Sequence, residues 1–151
     1  MITKEILSLK IKSRRRYAIF ITLASLVVLS YAIFDIVTKQ SDQAMEIFNW
    51  IVVVITTLLA LFGIYIFIGA TLDLSAIKKD KSPVIDAKFI KFNRRGVSPK
   101  DRHEKVYTGQ VFLDLETEEE KLLIVSNVEL NKRYKIMYGK HTNIGVVIER
   151  K

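Results

Sequence analysis

A helical hairpin of two transmembrane helices followed by a small all-β domain, a five-stranded barrel of OB-like or SH3-like form, is the fold class this sequence predicts. Three observations lead there. Residues 17–34 and 47–72 are runs of 18 and 26 residues without a single Asp, Glu, Lys or Arg. After Asp73 the apolar residues stop running continuously and begin to alternate with polar ones. The chain has 151 residues, which leaves about 80 after the second run, enough for one small domain.

The two runs come first. Overall the chain is 50% hydrophobic and 26% charged, but the apolar residues are concentrated in two blocks, which excludes an ordinary soluble globular protein. A hydrocarbon core of roughly 30 Å needs about 20 helical residues. We read a basic head over 1–16, spans over 17–37 and 48–72, and a short connection over 38–47. The head carries six Lys/Arg against Glu5, the connection carries Lys39 against Asp42 and Glu46, and the stretch after the second span opens with Lys78, Lys79 and Lys81. Basic flanks stay on the cytoplasmic side, so both termini are expected inside the cell membrane and the connection outside. Asp35 then falls near the outer end of span one, where its carboxylate reaches headgroups and water, and Asn49 and Trp50 sit in the half-wet layer where span two begins.

A basic segment before an apolar run also describes a signal peptide, with Ser30-Tyr31-Ala32 as a loose cleavage site. The run continues through Ile36 and Val37 beyond that site, and its length suits a span. Residues 47–72 contain no ionisable group for a solute or proton path, which favours anchoring over transport. Ala18, Thr22 and Ser25 with Ala60, Gly63 and Gly69 are small enough for close helix packing, although their spacing is not GxxxG.

A juxtamembrane linker, 73–83, closes at Pro83, and the domain over 84–151 follows. Ile85, Ala87 and Phe89 alternate with Asp86, Lys88 and Ile90, predicting a strand over 84–92. A second strand, 106–115, places Tyr107, Gly109, Val111, Leu113 and Leu115 on one side. The third, 121–125, is apolar on both faces, as in a strand buried in a closed or covered sheet. Residues 127–132 suggest a helical turn. Tyr134, Ile136 and Tyr138 open the fourth strand, and Gly139-Lys140-His141-Thr142-Asn143 turns the chain into the fifth, 144–149. Five strands of this size leave fewest exposed edges when curled into a barrel.

The segment Arg133-Tyr-Lys-Ile-Met-Tyr-Gly-Lys-His-Thr-Asn-Ile-Gly-Val-Val-Ile-Glu149 resembles the closing hairpin of small bacterial membrane proteins that carry a compact β-domain after their spans. The layout as a whole is similar to that of NfeD-like proteins, in which membrane spans precede an OB-type barrel. The resemblance implies a membrane-tethered interaction module and transfers no functional residues.

Chemistry is sparse. With no cysteine the chain has no disulfide, no Cys-ligated zinc and no thiol catalysis. The histidines are His103, in Asp101-Arg102-His103-Glu104, and His141; neither has the partners a metal or acid–base site needs. Glu116, Glu118, Glu119 and Glu120 lack calcium-loop spacing, and the sequence contains no Gly-x-Ser-x-Gly, Walker or Gly-x-Gly-x-x-Gly motif. No enzyme, metal or cofactor is therefore expected. The strongest signal is basic: residues 78–105 carry ten Lys/Arg against four acids within a chain whose net charge is +8. Arg14, Arg15, Arg16, Lys78, Lys79 and Lys81 are placed to meet anionic lipid headgroups. Arg94, Arg95, Lys100 and Arg102, on the long connection 93–105, are the expected contacts for a membrane or cytoplasmic protein partner. The expected role is a non-enzymatic accessory or scaffold protein. The alternatives are an oligomeric transport-related component, and a membrane-tethered nucleic-acid binder, which requires Phe89, Phe92, Tyr107 or Phe112 to face outward.

Overall fold

The computed structural model describes residues 2–38, 42–94 and 107–150. Two long helices, α1 (Ile2–Thr38) and α2 (Gln43–Lys78), precede five strands, β1 (Val84–Arg94), β2 (Tyr107–Asp114), β3 (Glu120–Val125), β4 (Arg133–Tyr138) and β5 (Ile144–Arg150). Both helices are long and apolar enough to cross a membrane. The chain divides into two compact units: Lys12–Thr71, and Met1–Ile11 together with Leu72–Lys151.

Lys12–Thr71 is a helix pair built inside out relative to a soluble bundle. Phe20, Tyr31, Leu58 and Tyr65 are exposed, whereas the buried positions are Ala18, Ser25 and Ala32 on α1 and Asn49, Thr56, Ala60 and Ala70 on α2. Large apolar side chains outward and small or polar ones inward is what a lipid solvent selects, because lipid gives no hydrophobic reason to hide a leucine. On α1 these small residues recur every seventh position, and on α2 Asn49, Thr56, Gly63 and Ala70 do the same, the spacing of a left-handed coiled seam. The helices approach closely at Gly63, where a Cβ would run into Thr22 Oγ1 and lie 3.2 Å from the Ala18 carbonyl oxygen. Thr22 and Thr56 donate to the carbonyls of Ala18 and Val52, so their hydroxyls cost little in an apolar setting. Asn49 Nδ2 donates to the Asp35 carboxylate, which gives that acid a polar partner. Asp42 Oδ1 accepts from the Met45 amide at 3.0 Å and caps α2. This cap starts the helix at Gln43, five residues before the expected start of span two.

The strands close into a barrel in the order β1-β2-β3-β5-β4. All neighbouring pairs are antiparallel except β3 and β5, which run parallel through Ile124↔Ile144 and Val125↔Gly145. A parallel closing pair is the Greek-key arrangement of OB-type barrels and decides between the two expected forms. The longest strand, β1, pairs with β4 through its first half and β2 through its second, with register shifts at Phe89/Lys91 and Phe92/Arg94 that bend it round the barrel. Gly145 lets β5 seat against its neighbours: a Cβ there would lie 2.9 Å from both Ile136 Cγ2 and Val125 Cγ2.

The core consists of Ile85, Ala87, Phe89, Phe112, Leu123, Val125, Tyr134 and Ile136. Phe89 stacks against Phe112 with ring centroids 5.2 Å apart and meets the edge of Phe92 at 4.7 Å. Two expectations about faces need correction. On β2 burial does not follow the predicted stripe alone: Val111 from the stripe and Phe112 from the opposite set are both buried, while Leu115 is exposed. Gly109, at φ +147, and the register shift opposite it in β1 break simple alternation. On β3, Leu123 and Val125 are buried but Leu122 and Ile124 are 40% and 44% exposed; the strand is a barrel wall with one dry face. Residues 127–132 form bends and turns and no helix.

The β2–β3 connection is organised by Asp114, whose side chain is nearly buried. It accepts from the Glu116 amide and from Lys121 Nζ, while Glu116, Glu118 and Glu119 remain exposed. The hydrogen bond from Lys121 holds the Asp114 carboxyl below its ordinary 3.8, against the opposing effect of burial, and the same bond raises Lys121 above 10.5. A depressed carboxyl contributes stability that is complete above its unfolded value and is lost as pH falls through the folded one; a raised lysine contributes below its unfolded value and loses it as pH rises through the folded one. The pair therefore stabilises the barrel between about pH 5 and 10. Asp114→Asn is expected to cost about 1–2 kcal/mol at pH 7 and less at pH 2, as read by chemical unfolding at the two pH values. An equal loss at both would remove the charge argument.

The head was expected as a separate basic segment. It is instead the first four turns or so of α1, and up to Ile11 it belongs to the barrel unit. Leu7 and Ile11, four residues apart on one helix face, are fully buried, Lys10 Nζ donates to Ser126 Oγ at 2.9 Å, and Lys4 pairs with Asp80. Two apolar positions at helical spacing give the head a reason to dock that its net charge conceals.

Candidate functional site

The end of α2 and the β4–β5 turn meet in a polar junction within the barrel unit. Asp73 was expected to open a linker, but α2 continues past it to Lys78. Leu74 and Ile77 are buried beside it, so this last part of the helix packs as a structural element. Its end is a Schellman cap: the Lys81 amide donates to the Ala76 carbonyl and the Asp80 amide to that of Ile77, with Asp80 in the left-handed region at φ 57. This cap fixes the direction in which Lys81, Ser82 and Pro83 leave the helix.

Asp73 itself is 2% exposed and is consumed by the turn 139–143. Its carboxylate accepts from the His141 amide at 3.1 and 3.2 Å, from the Thr142 amide at 2.8 Å and from Thr142 Oγ1 at 2.7 Å. A buried carboxylate that makes no ion pair among the described residues is tolerable when several N–H and O–H donors solvate it in this way. The turn is drawn tight by the Gly139 amide donating to the Ile144 carbonyl and the Asn143 amide to that of Gly139, both at 2.9 Å, with Asn143 at φ 54. Gly139 is required by close approach: a Cβ would run into Asp73 Oδ2 and stand 2.6 Å from Thr142 Oγ1. His141 serves through its backbone, and its side chain is exposed.

Beside this clamp lies a small cavity of about 120 Å³. Asp73, Lys81, Ser82, Tyr138, Lys140 and His141 are among its lining residues. The Ser82 hydroxyl oxygen is buried and has no hydrogen-bond partner among the described residues. Lys81 and Lys140 are exposed and make no ion pair among the described residues. A larger groove of about 370 Å³ runs along β5 between Lys10 and Arg150, but there Lys10 is bonded to Ser126 and Arg150 to the Asn127 carbonyl.

Of the residues the sequence singled out, Lys78 ends α2, Lys79 lies in the following turn, and both are exposed like Lys81. Arg16 is exposed, Arg14 and Arg15 are half-buried, and all three belong to the helix-pair unit. Arg94 is the last residue of β1, paired in register with Tyr107, whereas Arg95, Lys100 and Arg102 lie outside the described residues, as does His103. Phe89 and Phe112 are core residues and Phe92 packs against them, so none of these three rings is presented for base stacking. Sequence reasoning missed Asp73 and its turn. The available signal was a single carboxylate following 26 uncharged residues, in register with the apolar positions 70, 74 and 77. Comparison with protein-family models, with curated proteins and with solved structures finds no match to this chain.

Proposed function

We propose that this is a two-span integral membrane protein, with both termini cytoplasmic, that acts as a non-enzymatic accessory or scaffold and presents its barrel at the membrane surface to a protein partner or to anionic lipid. The observation that carries this reading is the Asp73 clamp. The residue that grips the barrel turn stands on the same continuous helix as the apolar run, one position after that run ends, so the barrel turn is tied to the residues that directly follow the proposed span. The basic flanks at Arg14–Arg16 and Lys78–Lys81 supply the orientation and an attraction of about 1 kcal/mol per residue to an anionic leaflet. The buried Phe89 and Phe112 rings weigh against single-strand nucleic-acid binding, which relies on exposed stacking platforms.

The absence of cysteine makes the orientation simple to test. In sealed right-side-out vesicles, a membrane-impermeant maleimide should label Gln43→Cys, and should label Glu119→Cys only after permeabilisation. Labelling of Glu119→Cys in sealed vesicles would overturn the orientation. The partner is tested by photo-crosslinking from Arg95 and Arg102, with Glu119 as control: a discrete protein adduct specific to the arginine positions supports the scaffold role, and lipid adducts alone reduce the basic segment to membrane electrostatics.

A further inference from the structure

We propose that the cavity beside the Asp73 clamp is a binding site for one phosphate group, carried by a phospholipid headgroup or free in solution. For the lipid source, the inference rests on the membrane reading above; for the free ion it does not.

The argument begins with the donors. Lys81 and Lys140 come from two elements, the Schellman-capped end of α2 and the β4–β5 turn, and both line one cavity. Two lysines lining one concavity raise its potential, and an anion bound there gains from both. Asp73 lines it too, but its oxygens are already engaged by His141 and Thr142. Its charge is dispersed over those donors, and the two lysines leave the lining net positive. That balance of charge favours an anion over a cation.

Ser82 adds the independent observation. A buried hydroxyl without a partner is uncommon because desolvating it is costly, and an O–H group on a residue that lines the same cavity as two lysines is a donor suited to a phosphate oxygen. The volume of about 120 Å³ admits a phosphate and excludes a nucleotide. The lining also includes Leu72, the last residue of the uncharged run, which places this chemistry where a membrane-inserted helix would meet headgroup phosphates.

The test uses the purified full chain in neutral detergent, read by native mass spectrometry with phosphatidic acid, phosphatidylcholine or inorganic phosphate. One phosphatidic acid per chain should be retained. Lys81→Ala/Lys140→Ala should weaken that binding roughly ten- to thirtyfold, the effect of removing two lysines near an anionic group, and Ser82→Ala should weaken it several-fold. Both lysines are exposed, so the double variant should retain its circular dichroism spectrum. Arg14→Gln/Arg15→Gln/Arg16→Gln should leave the single retained lipid in place. If inorganic phosphate competes at equal concentration, the free ion is the ligand; if it does not, the lipid is. Equal retention of phosphatidylcholine, or unchanged binding by the double lysine variant, overturns the site. None of these readouts depends on orientation, so failure here and failure of the maleimide labelling are separate results.

Discussion

Asp73→Ala is expected to loosen the β4–β5 turn by about 2–4 kcal/mol, the cost of leaving buried donors without an acceptor. The His141 amide, the Thr142 amide and the Thr142 hydroxyl all lose the Asp73 carboxylate at once, and Thr142 is buried away from bulk water. Asp73→Asn keeps one acceptor oxygen but turns an NH₂ toward the same donors, so its loss should fall between that of alanine and wild type. Thr142→Val removes only the hydroxyl contact and should cost about 1 kcal/mol. Hydrogen exchange of the amides of residues 141 and 142 in the full chain reads this locally. Faster exchange there, in the order Ala, Asn, wild type, is the expected result. Unchanged protection in Asp73→Ala would mean that the turn holds itself and the clamp contributes nothing.

Phe112→Ala is expected to cost about 3–5 kcal/mol, the range for emptying an aromatic position in a closed core. Its ring is fully buried and packs on Phe89, and a barrel wall paired on both sides has little room to collapse into the gap. Leu115→Ala and Leu122→Ala, both exposed, should each stay within about 0.5–1 kcal/mol of wild type. Chemical unfolding of the full chain in detergent, followed through the β-sheet signal, ranks the three. If Leu115→Ala matched Phe112→Ala, the face assignment of β2 would be wrong.

That ranking also marks the limits of reading this chain from sequence. The two apolar runs, the five strands and the polar turns between them were legible because each is a local property of spacing and composition. The burial of two successive residues of β2, Val111 and Phe112, was not: the shift in β1 and the unusual backbone at Gly109 interrupt the alternation, and both are pairing effects. The seven-residue recurrence of Ala18, Ser25 and Ala32 with Asn49, Thr56, Gly63 and Ala70 was present in the letters, but a search for GxxxG passes over it because the period differs. Asp73 was hidden for another reason. Its donors lie nearly seventy residues downstream, and no local pattern distinguishes a carboxylate that ends a span from one that grips a distant turn. Choosing between OB-like and SH3-like forms likewise required the β3–β5 partnership, which is a long-range fact. The basic segment Arg95–Arg102, the expected partner contact, gains no support from geometry because it lies outside the described residues.

The parallel pairing of β3 with β5 has a consequence in time. A ribosome delivers α1 and α2 first, then β1, β2, β3 and β4, and none of these can seal the barrel: β3 must wait for the strand made after β4. Until β5 arrives, β3 presents an unpaired edge at Ile124 and Val125 beside the apolar Leu122, a hazard for association with other nascent chains. Leu7 and Ile11, made before any of the strands, must wait as well for the unit in which they are buried. Assembly of this domain therefore joins segments from opposite ends of the described chain, and its rate-limiting step should be a late, long-loop closure.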